Sequence, residues 1–594
     1  MVSTHVQKSE RLRCTIIGAG VSGILMAYKL KQHLKDFVDF QIFEKSPDIG
    51  GTWYENRYPG YASSQEIHAY LKGVVRHFDL ERYITLNTKV VSARWSEEAG
   101  TWTIELDDST LVTSEVLVNA SGILNHPQLP NVEGLSTFSG PILHTASWDS
   151  SIDLGGKRIG VIGAGASAIQ LVPSIQPLAK DMKVFIRTPS WIAPPVALPD
   201  PNATNYTYSS EEKKGFEGHN DTYLATRKGL EDQFNGMFKI FLKSSPEQRN
   251  IRTLFESRMK QLIPDEELQN KLIPQFEAGC RRINPGEGFL TALQKPNVEP
   301  VFDSIQKVTP NGIVAGDKEY LADILVTATG FNTTFRPRFP IIGRSGANLQ
   351  DLWQNDPASY LGIGVAGFPN YLIFLGPNTP ISNGSLMGSV EATADYFIRL
   401  IHKMIRQRVK SFEVRSDAQE DFNTHTQTAM QDMVWTGTCR SWYKQGTSGK
   451  VTGIWAGSSL HYIQVLSEDR WEDYEWEHKS ERYSYWGHGL SWIEEPDLDP
   501  LGAKRQDMLE AMTTIPKKDS DLSFYLWKSE PLPYGCIPDV GLNKSTGVEV
   551  ENRQELDWDE GLPKDVGNGH LNDSAAAAAS IDTHANGTCI SVPV

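Results

Sequence analysis

Gly18-Ala-Gly-Val-Ser-Gly23 closes the short run Arg13-Cys-Thr-Ile-Ile17 and opens a stretch, Val21 to Leu34, whose apolar residues fall at helical spacing. Gly18, Gly20 and Gly23 permit a tight turn and let backbone N–H groups approach a pyrophosphate, whose charge is stabilised at the helix N-terminus. The strand Asp39-Phe-Gln-Ile-Phe43 follows and ends at Glu44. That acid stands about 20 residues past the last glycine, where a carboxylate accepts hydrogen bonds from a ribose diol. One such turn is weak evidence, because glycine-rich hexapeptides arise by chance.

A second copy strengthens the reading. Gly163-Ala-Gly-Ala-Ser-Ala168 follows the strand Lys157-Arg-Ile-Gly-Val-Ile162 and precedes the strand Met182-Lys-Val-Phe-Ile186. Here the residue leaving the partner strand is Arg187. A carboxylate at that place would repel a 2′-phosphate, whereas a guanidinium binds one through two charge-assisted hydrogen bonds. The first turn therefore reads as a ribose-diol site. The second reads as an NADP site with Gly163, Gly165 and Ser167 at the pyrophosphate. A solvated surface cation is the competing reading of Arg187. Two such turns predict an α/β protein with two Rossmann-like dinucleotide-binding domains, built to move electrons between the nucleotides.

Further landmarks lie around these turns. Gly50-Gly-Thr-Trp-Tyr-Glu-Asn-Arg-Tyr-Pro-Gly60 follows the first, and Phe138-Ser-Gly-Pro-Ile-Leu-His-Thr-Ala-Ser-Trp-Asp149 precedes the second. The latter fits F-x-G-x-x-x-H-x-x-x-W-[PD] at every fixed position. Ala328-Thr-Gly-Phe331, Gly367-Phe-Pro-Asn370 and Gly376-Pro-Asn378 come later in the same order. On these residues the chain resembles the Baeyer–Villiger monooxygenases from Leu12 to Trp492. The Trp435 to Tyr462 region is similar to the fungal, secondary-metabolism branch, although it reads Trp455-Ala-Gly-Ser where that branch has Trp-Pro-Gly-Ser.

The resemblance implies FAD at the first turn and NADPH at the second. It implies O2 and a small-molecule ketone as partners, with one oxygen atom inserted beside the carbonyl to give an ester or lactone. It implies that Arg282, the last residue of Gly279-Cys-Arg-Arg282, is the catalytic cation and that Arg281 is a second contact to NADP; a surface arginine pair is the plainer reading. Gly51, Thr52, Val90, Gln170 and Thr188 carry over by position as cofactor contacts. Trp53 and Tyr58 carry over as residues near the flavin ring, though aromatic residues serve as readily in a core. His144 falls on the connection between the two units and is not read as a general base. The rival chemistry is N- or S-oxygenation, whose enzymes end the fingerprint in Tyr or Phe; Trp148-Asp149 argues against it. A disulfide reductase would need a paired redox cysteine.

The chain departs from the family after Gly60. There the family carries an Ala-Arg-x-Asp-like segment whose acid sits beside the flavin and the catalytic arginine. Here Tyr58-Pro-Gly60 runs directly into Tyr61-Ala-Ser-Ser-Gln-Glu-Ile67, and no aspartate occurs between Asp48 and Asp79. An internal deletion is the expectation. Glu55 or Glu66 compensates for the lost acid, or the chain is an impaired variant.

At 594 residues the chain exceeds a single core and predicts several units. These are an FAD-binding part over 12–150, an NADP-binding part over 151–200, a helical insert over 201–279, further NADP-binding chain over 280–331, and further FAD-binding chain with a C-terminal extension over 332–542. Residues 543–594, with excess acid and the Ala575–Ala579 run, read as a disordered tail. Within the insert Ser245-Pro246 marks a helix start, and Ile251, Leu254, Phe255, Met259 and Leu262 share one face. A net charge of −16 argues against nucleic acid or an anionic membrane as partner. The uncharged stretch 357–390 is broken by Gly, Pro and Asn, so no transmembrane segment is expected. Cys14, Cys280, Cys439, Cys536 and Cys589 lie far apart, with no C-x-x-C pair and no metal cluster. They read as reduced thiols of a cytoplasmic protein.

Overall fold

The computed structural model describes residues 11–55, 64–194, 208–218, 220–379, 382–445 and 449–486. Tyr58, Cys536, Cys589 and the 543–594 tail lie outside the described residues. The strands that matter here are β1 (Leu12–Ile17), β2 (Val38–Phe43), β3 (Ile84–Thr85), β4 (Val116–Asn119), β5 (Ile142–His144), β6 (Arg158–Ile162), β7 (Asp181–Phe185), β8 (Val298–Val301), β9 (Ile324–Thr327) and β10 (Tyr371–Ile373). They form two five-stranded parallel sheets, ordered β10-β4-β1-β2-β3 and β8-β7-β6-β9-β5. Parallel sheets are covered on both faces, so their strands are runs of apolar residues rather than alternations. β4 and β9 show this plainly, with all four residues of each buried.

In the first sheet β1 pairs with β2 from Leu12↔Val38 to Ile17↔Phe43, and the helix Val21–Leu34 crosses between them. That helix is buried at Gly23, Ile24, Leu25, Met26, Ala27, Leu30 and Leu34, because it lies between the sheet and the helix Leu386–Arg406. In the second sheet the helix Ala166–Ile175 joins β6 to β7. The chain crosses from the first sheet to the second between Asn119 and Ile142, since β5 pairs with β9. This crossing comes earlier than the expected boundary at residue 150. It returns at β10, which pairs with β4.

The landmarks have structural duties. Asn370, at φ +52, donates to the Lys410 carbonyl and accepts from the Phe412 N–H, fixing the start of β10. Asn378, also left-handed, donates to the carbonyls of Val451 and Ile454. The fingerprint residue His144 is buried, accepts the Ala146 N–H at Nδ1, and meets the Phe331 ring edge-on. Burial lowers its pKa. Its surroundings make it a joint between the fingerprint and the Ala328–Phe331 turn.

The insert contains the helices Ser210–Gly218, Asn220–Gly236, Pro246–Leu262 and Glu266–Leu272. Ser245 caps the third by accepting the Gln248 N–H at 2.9 Å. Phe255 and Met259 are buried on that helix, whereas Leu254 is exposed, so the apolar face is narrower than its spacing suggests. The cysteines need a larger correction. Cys280 and Cys439 form a disulfide across a separation of 159 residues, and Cys14 is a buried free thiol. Separation in sequence hid a pair that the fold brings together. Among the described residues no helix is long and apolar enough to cross a membrane, and no group of His, Cys, Asp and Glu could hold a metal ion.

Candidate active site between two dinucleotide cradles

The first cradle forms where β1 meets its helix. A Cβ on Gly23 would clash with the Gly18 carbonyl oxygen, so only glycine lets the helix start this close to the strand. Gly20 is the N-cap residue and has no side-chain cap, which leaves N–H groups of the helix end directed outward. Gly50 donates to the Ala19 carbonyl at 2.9 Å, which lays the second landmark over the turn. Gly20 and Gly51 then face one another: a Cβ on either would touch only the other's backbone. Such close backbone approach at a helix N-terminus, free of side chains, suits a pyrophosphate.

Glu44 is buried, its two oxygens accepting the N–H groups of Ala19 and Ser46 at 2.8 Å each. A carboxylate has about four lone-pair sites, so capacity remains for a ribose diol. Thr52 is exposed at the start of the one-turn helix Thr52–Glu55, and Trp53 packs partly against the core beneath. Val90 is buried in a separate mixed sheet, in which Val90–Ser96, Thr101–Leu106 and Leu111–Ser114 run antiparallel and Ile341–Ile342 pairs in parallel with the first. Its side chain is core, in one cluster with Ile17 and Phe43 at the strand ends beside the glycine turn.

The second cradle repeats the design. Gly163 sits at φ +122, a backbone conformation that side chains rarely adopt, and Gly165 has open space around it at the N-terminus of the helix Ala166–Ile175. Ser167 and Gln170 are half-buried on that helix, with the Gln170 amide donating to the Ala166 carbonyl. No motif in the sequence points to Ser190. Its hydroxyl donates to the Ala164 carbonyl at 2.9 Å, tying the chain after Arg187 to the glycine turn.

Arg187 is exposed beyond the end of β7. Arg281 is half-buried and donates to the carbonyls of Thr188 and Pro189 at 3.2 and 3.1 Å. Burial lowers the pKa of each, and neighbouring arginines add to it: Arg440 acts on Arg187, and Arg187 acts on Arg281. This is a cationic pocket suited to a phosphate monoester. Arg282 is exposed and faces the buried phenol of Tyr443. Burial raises the Tyr443 pKa, offset in part by the Arg282 and Arg281 charges. Tyr443 was missed in sequence because its partner lies on a distant segment.

Two dinucleotide cradles in this order, joined by the fingerprint and bordered by an arginine, define a flavin- and NADP-dependent monooxygenase. The chain belongs to the flavin-binding monooxygenases of the Baeyer–Villiger type. Residues 54–198 match the flavin-binding monooxygenase-like family, and residues 16–80 match the NAD(P)-binding Rossmann-like domain. The chain is 37% identical over 538 residues to the FAD-binding monooxygenase moxY of Dothistroma septosporum, covering 84% of each. It is 33% identical over 480 residues to a Baeyer–Villiger monooxygenase of Pseudomonas aeruginosa, covering 76% of this chain and 89% of the relative. Its fold matches cyclohexanone monooxygenase from Rhodococcus sp. Phi1 bound to NADP+, with TM-score 0.70 and 26% identity over 79% of this chain and all of that one. It is thus an enzyme that uses FAD and NADPH.

Proposed function

We propose that this enzyme inserts one oxygen atom from O2 beside the carbonyl of a bulky alicyclic or polyketide ketone, giving an ester or lactone, in fungal secondary metabolism. The observation that carries the reading is the position of Arg282. Tyr443, which it faces, accepts at its carbonyl the Thr452 N–H, and Thr452 accepts the Asn378 N–H in turn. Asn378 ends the turn that follows β10 of the first sheet. Arg282 belongs to the NADP unit, and the Tyr443 segment it faces is hydrogen-bonded to the FAD unit; among the described residues no carboxylate pairs with its guanidinium. The flavin, when bound, supplies the reducing and oxygen-activating chemistry. Arg282 supplies a fixed positive charge for the anionic oxygen species, and such a preorganised donor contributes about 10²–10³ in rate. The names of the Pseudomonas relative and the Rhodococcus neighbour support ketone oxidation.

We further propose that catalysis is weakened by loss of the family's acid. Glu55 is committed to Lys45, and Glu66 lies exposed on the helix Ser64–His77. The stretch Asn56 to Ser63 contains no acid.

Purified flavoprotein given NADPH, O2 and a panel of cyclic ketones is expected to form ester slowly, with part of the NADPH consumption appearing as hydrogen peroxide. Arg282→Ala is expected to keep NADPH-driven bleaching of the flavin and to lose ester by about 10²–10³. Ester formation by this variant at the wild-type rate would overturn the role of Arg282. A wild type that yields sulfoxides or N-oxides but no ester would overturn the reaction.

A further inference from the structure

The Cys280–Cys439 disulfide joins two segments whose next residues are both arginines. The bridged Cα atoms are 6.1 Å apart, so Arg281 and Arg440 leave the same point on two different segments. Arg281 reaches the carbonyls of Thr188 and Pro189, the two residues that follow Arg187. Three guanidiniums, from β7's end, from the segment after the insert and from the Trp435–Tyr443 region, thus gather on one side of the second cradle. Among the described residues none of them forms an ion pair with a carboxylate. Their mutual influence is consistent with this: the groups acting on Arg187 and Arg281 include arginines and the Tyr443 phenol, and no carboxylate. Like charges gathered without a counterion repel, so the arrangement is suited to an anion of more than one charge. A phosphate monoester carries nearly two charges at neutral pH and three acceptor oxygens, one for each guanidinium.

We propose that Arg440 is the third cation of the 2′-phosphate subsite and helps to select NADPH over NADH. The proposal rests on the reading of the second cradle as the NADP site. Selection of this kind is a difference of affinities, and a charge-assisted hydrogen bond to phosphate is worth roughly tenfold in binding. Arg440 would add to Arg187 and Arg281 rather than replace either.

The test is calorimetric titration of the full-length flavoprotein with adenosine 2′,5′-bisphosphate and adenosine 5′-monophosphate, which differ by this phosphate alone. Wild type is expected to prefer the bisphosphate. Arg440→Ala is expected to lose roughly tenfold of that preference, with monophosphate binding unchanged. Arg440→Lys keeps the charge but not the fork, and is expected to lose less. Arg187→Ala serves as the comparator. If Arg187→Ala loses the preference and Arg440→Ala keeps it, the role of Arg440 falls while the NADP site stands. An equal loss of both ligands in Arg440→Ala would also overturn it, because the residue would then serve general architecture. A wild type that binds both ligands equally would remove the NADP site itself, and the proposal with it.

Discussion

At Gly23 a single added carbon would collide with the Gly18 carbonyl oxygen, inside the turn we propose as the FAD pyrophosphate cradle. The backbone there cannot give without moving β1 or its helix. Overpacking of this kind costs about 1–3 kcal/mol. Gly23→Ala is expected to lower the ratio of flavin to protein absorbance and the unfolding temperature together; a variant with full flavin content would contradict this. Such positions are legible in sequence because the demand is steric and local. Glu44 was legible only in part. Its distance from Gly23 announced an acid at the strand end, but not that both oxygens would already hold the Ala19 and Ser46 N–H groups. Arg440, Tyr443 and Ser190 were not legible, because each earns its place through a neighbour remote in the chain. Val90 was placed by position alone, and the fold sets its buried side chain in a core shared with Ile17 and Phe43, the strand ends at the first cradle.

Strand existence could be read from continuous apolar runs, and the ends moved by one residue, as in Val38–Phe43 against an expected start at Asp39. Sheet membership could not be read. Nothing in Ile142–His144 says that it pairs with Ile324–Thr327, and that pairing moves the fingerprint into the second unit. One ion pair stitches this sheet beside it. The Asp323 carboxylate accepts both the Arg158 side chain and its backbone N–H, where β6 begins next to β9. The Arg158 side-chain hydrogen bonds foremost, then the backbone one, hold Asp323 down to about 2 from the ordinary 3.8. A depressed carboxyl stabilises the fold fully above the ordinary value and ceases to do so as pH falls through the folded one. Asp323→Asn is therefore expected to unfold at lower denaturant than wild type at neutral pH. The gap should narrow between about pH 4 and pH 2. A gap that stays constant through this window would refute the assignment.

Across the whole molecule the disulfide is the feature least visible in sequence, since no spacing rule links residues 159 apart. It fastens the segment carrying Arg281 and Arg282 to the region carrying Tyr443. Digestion of unreduced protein is expected to yield one cross-linked peptide pair containing Cys280 and Cys439, which separates on treatment with a thiol. Two free, alkylatable cysteines at these positions before reduction would show the bond absent. The two cradles themselves were legible at this scale, because each is a local strand-turn-helix signal repeated with a diagnostic difference after its second strand.

The interleaving of the two units has a consequence for biosynthesis. A nascent chain finishes its first phosphate cradle early, yet Val116–Asn119 has its outer neighbour only when Tyr371–Ile373 has been made. Until then one sheet margin lies bare on the ribosome-bound intermediate, a template for wrong partners. A shortened version that extends past Ala168 but stops before Tyr371 would keep both glycine turns and carry that bare margin permanently.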